Sequence, residues 1–74
     1  MSKFRINLVT QSDIIEFVNI ANSTDKNVWL EDVNELRVNG KSILGVMYGT
    51  SDFETLYCVT DDDTLQTKLL KFLI

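Results

Sequence analysis

The chain has 74 residues and a formal charge of −4 from 7 basic and 11 acidic side chains, with one cysteine and no histidine. A chain of this length forms one domain, expected over residues 1–74, and buries only about 60% of the surface its unfolded form exposes, so its core must be efficient. These counts exclude an internal disulfide and imidazole acid–base chemistry, and a lone Cys without His makes no zinc site.

The basic residues Lys3, Arg5, Lys26, Arg37, Lys41, Lys68 and Lys71 are scattered along the sequence. A nucleic-acid interface would concentrate them on one face, so none is expected. No apolar run approaches the length of a membrane span. The N-terminal stretch from Met1 to Ile6 lacks the apolar centre of a signal peptide. A soluble, cytoplasmic protein is the expectation.

Phe4, Ile6 and Leu8 alternate with Arg5 and Asn7, the period of a strand with one apolar face. Thr10, Gln11, Ser12 and Asp13 are capping residue types, and Asp13 with Glu16 has the spacing of a capping box. Ile14, Phe17, Val18 and Ala21 follow at helical spacing, and the run Asn22 to Asp25 ends that helix. Val28 to Glu31 reads as a second strand and Leu36 to Asn39 as a third, closed by Gly40. Trp29 is out of phase with Val28 and Leu30, which puts it on the uncovered sheet face with Arg5, Asn7 and Cys58 as neighbours. An apolar patch there invites a dimer or ligand contact, although partial burial by those neighbours is the simpler expectation.

Ser42 is a strong N-cap type for a short helix from Ile43 to Tyr48, with Gly49 as its stop. Gly45 inside it costs about 1 kcal/mol against Ala, so cap and packing must hold the helix. Ile43, Leu44 and Met47 cannot all be buried together with Val46 and Tyr48 against one sheet. Thr55 to Thr60 is a fourth strand, in which Cys58 reads as a packing residue. Asp61, Asp62 and Asp63 open a final helix running to Phe72, and Lys68 and Lys71 sit toward its end, each sign where the helix dipole favours it. Leu65, Leu69, Phe72 and Leu73 form its buried stripe. The acidic triplet lacks the downstream Glu of a calcium loop and reads as a solvated helix start. Neither a metal nor a cofactor is expected.

The order β-α-β-β-α-β-α predicts an α/β (α+β) fold, an open-faced two-layer sandwich. A four-stranded, mostly antiparallel sheet carries three helices on one face. Phe4, Ile6, Leu8, Val28, Leu30, Leu36 and Val38 should face the helices; Arg5, Asn7 and Trp29 should face away.

This topology in this length resembles HPr, the small phosphocarrier of the bacterial sugar phosphotransferase system. The segment from Val38 to Met47, with Lys41-Ser42-Ile43-Leu44-Gly45-Val46-Met47 at its centre, is very similar to the regulatory-serine segment of HPr proteins of the Gram-positive type. Glu16 to Ala21 resembles the middle of the family's first helix, and Val28 to Glu31 its second strand. The family's phosphate-accepting His opens the first helix, followed by Arg and then Pro. The resemblance puts Thr10 at the His position, or Gln11 after a one-residue slip, with Ser12 at the Arg position and Asp13 at the Pro. Neither Thr nor Gln accepts phosphate from a phospho-His donor as imidazole does, and Asp13 adds charge of the wrong sign. HPr-like proteins of catabolite repression also lack the His and keep the serine.

The resemblance therefore implies a non-catalytic regulatory or adaptor protein without phosphocarrier activity. It would act by docking through Ile43, Leu44 and Met47, with Ser42 as its phosphorylation site. The implied partners are an HPr-type kinase and a transcriptional regulator, and the chain would be a monomer or weak dimer. No motif of catalytic type accompanies these residues. A small-ligand regulatory domain with a βαββαβ core, like the ACT domains, is the alternative. The final helix and the lack of a Gly-rich ligand loop weigh against it. A diverged HPr copy without retained function is the third reading.

Overall fold

Alternation along Phe4–Ile6 and Val28–Leu30 makes the two-faced sheet of the computed structural model, which describes all residues from Met1 to Ile74. The elements are β1 (Ser2–Ile6), α1 (Gln11–Ala21), β2 (Val28–Glu31), β3 (Arg37–Asn39), α2 (Ile43–Asp52), β4 (Leu56–Thr60) and α3 (Leu65–Lys68), followed by a 3₁₀ turn at Leu70–Phe72. The strands lie in the order β1-β4-β2-β3, and every neighbouring pair is antiparallel. The fold is the expected open-faced α+β sandwich. Past β4 the chain continues into helical segments, unlike a bare βαββαβ module.

Register decides which side chains meet the helices. Phe4 pairs with Cys58, Cys58 with Leu30, and Leu30 with Val38, so these four share one face. Against that face pack Phe17, Val18 and Ala21 of α1, Val46 of α2, Leu65 of α3, Leu69 and Phe72. Burying a side chain such as Phe17 or Leu30 contributes about 1.5–3 kcal/mol, which is how so short a chain offsets its ordering entropy. Leu8 lies beyond the end of β1 yet is buried in the same cluster. The segment from Phe72 to Ile74 covers part of the free edge of β1. Asn7 N–H donates to Phe72 O at 2.8 Å, Ile74 N–H donates to Arg5 O at 3.3 Å, and Ile6 and Leu73 form a β-bridge.

Five expectations are corrected. Helix α1 starts three residues earlier than Asp13 suggests, because Thr10 is its cap and Asp13 supplies the reciprocal half of the capping box. Glu16, released from that role, pairs with Lys71, whose Nζ donates to both carboxylate oxygens at 3.0 Å. Helix α2 runs through Gly49 to Asp52 instead of stopping at Tyr48, since Gly49 is buried within it and Phe53 is the C-cap. Cys58 is fully buried on the helix side and does not flank Trp29, as its pairing with Phe4 and Leu30 requires. Leu36 is 55% exposed in the turn before β3 and faces no helix.

The fifth correction concerns the last helix, which is not continuous from Asp62 to Phe72. Asp62 accepts hydrogen bonds from Thr64 N–H at 2.9 Å and Thr64 Oγ1 at 2.6 Å, an Asx turn that delays the helix to Leu65. Helix α3 then has four residues before the chain tightens into the 3₁₀ turn. The stripe of Leu65, Leu69 and Phe72 is nevertheless buried. Those Thr64 hydrogen bonds lower the Asp62 carboxyl to a pKa of about 2.

The two glycines of α2 differ in what surrounds them. A Cβ on Gly45 would stand 3.0 Å from the Asn39 carbonyl oxygen, a backbone atom, so this glycine is the condition for α2 to approach β3. A Cβ on Gly49 would meet only side chains, Val38 Cγ2 at 3.4 Å and Phe53 ring carbons at 3.5 Å. Gly49→Ala should therefore stabilise the fold by about 0.5–1 kcal/mol through helix propensity, while Gly45→Ala should give no gain. Urea unfolding of the two variants measures the difference, and equal stabilisation of both would contradict this packing.

Candidate functional site

Three hydrogen bonds donated by successive backbone N–H groups prepare the start of α2. Gly40 N–H donates to Val28 O at 2.8 Å and closes the end of β3 onto β2. Asn39 Oδ1 accepts from Lys41 N–H at 2.9 Å, and Asn39 O accepts from Ser42 N–H at 3.2 Å. From α1, the Asn22 side-chain amide donates to Lys41 O at 3.0 Å, while Lys41 Nζ donates to Thr24 O at 2.6 Å. Ser42 is thus held from both the sheet and the neighbouring helix before α2 begins.

Ser42 has extended backbone angles, and its Oγ accepts a hydrogen bond from Gly45 N–H at 3.1 Å. It is the N-cap that its residue type predicts. On the helix it starts, Val46 and Gly49 are buried against the sheet. Opposite them, Ile43 is 48%, Leu44 78%, Met47 40% and Tyr48 53% exposed. Four large apolar or aromatic side chains thus lie in water on one ten-residue helix. Tyr48 is partly braced by the Phe53 ring, edge-on at 6.1 Å between centroids.

The segment Thr10, Gln11 and Ser12 is exposed at the other end of the helical layer. The Asn22–Lys41 contact puts the end of α1 beside the start of α2, so Thr10 lies about one helix length, roughly 16 Å, from Ser42. The fold does not bring the two segments together. At α1's start, Thr10 Oγ1 accepts from Asp13 N–H at 3.1 Å, and Asp13 Oδ2 accepts from Val9 N–H at 2.9 Å and Thr10 N–H at 3.1 Å. These backbone hydrogen bonds hold the Asp13 carboxyl below its ordinary value. A carboxylate thus stands where an anion would approach, and no imidazole is present to receive one.

Cys58 offers no alternative chemistry, since burial pushes its thiol up to about 12. No three His, Cys, Asp or Glu side chains converge as a metal set. Asn22, Asn39 and Lys41 have a positioning role that the sequence pattern does not reveal. The Asn39-Gly40 pair is a turn signal, but the partner of Asn22 lies 19 positions away and leaves no local trace.

Ser42→Ala should lower stability by about 1 kcal/mol, whereas Ser42→Asp, also a good cap, should lower it far less. Chemical denaturation separates them, and equal losses would mean that the cap hydrogen bond is not what matters. At α1, a carboxyl with a lowered folded-state pKa stabilises the fold above its unfolded pKa, near 3.8, and that contribution is lost as pH falls through the folded value. Asp13→Asn should therefore flatten the fall in stability below about pH 4, measured by melting temperature against pH.

No family model, curated protein or solved structure matches the chain, so the candidate site rests on these residues and their geometry.

Proposed function

We propose that the chain is a non-catalytic regulatory adaptor of the HPr type, docking on a partner protein through the exposed face of α2. The observation that carries this reading is the cluster of Ile43, Leu44 and Met47, left in water beside a capping serine on a helix anchored at both flanks. Apolar groups concentrated in this way stabilise a complex when a partner covers them, and Met adapts to varied surfaces. Helix α2 has no basic residue in its last turn and ends on Asp52, with Glu54 just beyond. Within a chain of charge −4, that frame suits a partner whose apolar patch is rimmed by Arg or Lys.

Ser42 supplies the regulation in this reading. A phosphate there adds about −1.5 to −2 charges at a helix N-terminus, whose amide donors and dipole favour an anion. It would stand one residue from Ile43. A partner with Arg or Lys opposite would bind more tightly, and a purely apolar one would be repelled. The partners proposed are an HPr-type kinase for the modification and a transcriptional regulator for the docking. At the other end of the layer, Thr10, Gln11 and the Asp13 carboxylate suit no phosphate relay, which supports an adaptor over a carrier.

Three measurements test the reading. Incubation with an HPr-type kinase and ATP should add one phosphate to the intact mass of the wild type and none to Ser42→Ala. Incubation with enzyme I and phosphoenolpyruvate should add none; an acid-labile, enzyme I-dependent phosphate would overturn the non-carrier reading. Against a catabolite-control regulator, Met47→Ala should weaken binding about tenfold, the loss of one well-packed anchor, and Ser42→Asp should change the affinity. If both variants keep the wild-type circular dichroism and bind as the wild type does, α2 is not the docking surface.

A further inference from the structure

We propose that the open face of the sheet is a second docking surface, built for an acidic, extended segment of a partner protein. It lies on the side opposite α2 and does not depend on that helix. Eight strand residues form it in two cross-strand rows. One row runs Arg5, Tyr57, Glu31, Arg37 and the other Lys3, Val59, Trp29, Asn39. Three of the chain's 7 basic residues stand in these rows, against one of its 11 acids. These eight residues carry a net side-chain charge of +2, which leaves −6 on the rest of the molecule, Asp61 at the border of the cleft beside Arg37 included. The sequence scatters these cations, and strand pairing gathers them.

The single acid here does not cancel the field. Glu31 is 6% exposed, and it accepts from Lys3 Nζ at 3.3 Å and from Arg37 Nη2. Two cations thus serve one carboxylate. Arg5, at the far end of the same row, is exposed and forms no ion pair. Arg5 and Arg37 are on the two edge strands, three strand spacings or about 14 Å apart. In an extended peptide crossing the sheet, carboxylates four residues apart span about 13 Å and reach both.

Beside Arg37 is a cleft of about 230 Å³ lined by Trp29, Val59, Asn27 and Thr60, with Met1 and Asp61 also at its border. That is below the roughly 300–1,000 Å³ of small-molecule sites but admits one apolar side chain. Val59 at its floor is 4% exposed although no helix covers this face. Trp, Tyr and Arg are the residue types that anchor protein interfaces. A nucleic acid fits less well. The Arg37 guanidinium lies 5.3 Å from the Trp29 ring centre and Lys3 Nζ lies 4.9 Å from that of Tyr57, so cations already occupy the aromatic faces on which bases would stack. A long polyanion would also run onto the −6 remainder.

Trp29 is the only tryptophan, so its fluorescence reports on this face alone. The probe is a synthetic nonapeptide with Glu at its third and seventh positions and Leu between them, tested beside its Lys counterpart and an oligothymidylate. The acidic peptide should give a saturable change in Trp29 emission, with affinity falling about tenfold in Arg5→Glu and at high salt. Arg5→Glu removes no ion pair, and its melting curve should match the wild type. The Lys peptide should be silent, and Met47→Ala should bind as the wild type does, so this result is separable from that for α2. No saturable change, an unaltered affinity in Arg5→Glu, or tighter binding of the oligothymidylate would overturn the proposal.

Discussion

The molecule depends on the pairing of β4 between β1 and β2. Five residues of β4 register with β1 and four with β2, so one strand fixes the phase of three. A slip by one residue would bring Tyr57 or Val59 to the helices and send Cys58 outward, reversing both faces together. Thr60 secures the register. Nearly fully buried, it donates from Oγ1 to Asn27 O at 2.8 Å and accepts from Asp62 N–H at 3.0 Å. The same hydroxyl ties the start of β2 to the end of β4 and turns the chain toward α3.

A second constraint is electrostatic. Burial disfavours the ionised Glu31 carboxylate, but hydrogen bonds from Arg37 and Lys3 outweigh it and hold its pKa below the ordinary glutamate value. Glu31 therefore stabilises the fold above its unfolded pKa and loses that contribution as pH falls through the folded one. Removing either cation leaves a desolvated charge short of a partner, a larger penalty than an exposed ion pair is worth. Asp32, the next residue, is buried for another purpose. Its Oδ1 accepts from Val33 N–H at 2.8 Å and Thr55 N–H at 3.2 Å, joining the turn after β2 to the entry of β4. Glu35 in that turn has φ = 68°, a left-handed conformation that costs a residue with a Cβ more than it costs glycine.

The fold was legible in the sequence where period and chemistry agree. Alternation gave β1 and β2, and helical spacing placed Phe17, Val18 and Ala21 in the core. Ser42 was legible as a cap because capping is local. The misreadings occur where a distant partner decides. Asp13 and Glu16 have capping-box spacing, yet Thr10 and Lys71 claim them. Gly49 has the composition of a helix stop, but it lies against Val38 and the helix passes through it. Cys58 and Trp29 read from the sequence as sharing one face because the phase of β4 relative to β2 is set by pairing, which no single strand records. For the same reason the basic character of the open face is invisible in the sequence, since Lys3, Arg5 and Arg37 share a face only after all four strands pair.

Strand β3 links the two proposed surfaces in only three residues. Arg37 stands in the open-face row beside Glu31, while Val38 lies on the other side against Gly49 of α2. Asn39 returns to the outer row beside Trp29, yet its carbonyl accepts from Ser42 N–H and limits how closely Gly45 can approach. The first turn of α2 is thus seated on the backbone of a strand whose side chains serve the other face. A helix seated in this way has little freedom left to lose, so docking on Ile43, Leu44 and Met47 requires little further ordering of the chain. It also means that changes in β3 act on both surfaces at once. Arg5, on the opposite edge strand from β3, and Met47, with its side chain exposed on α2, stand on opposite sides of the sheet and are the positions through which each surface can be altered alone.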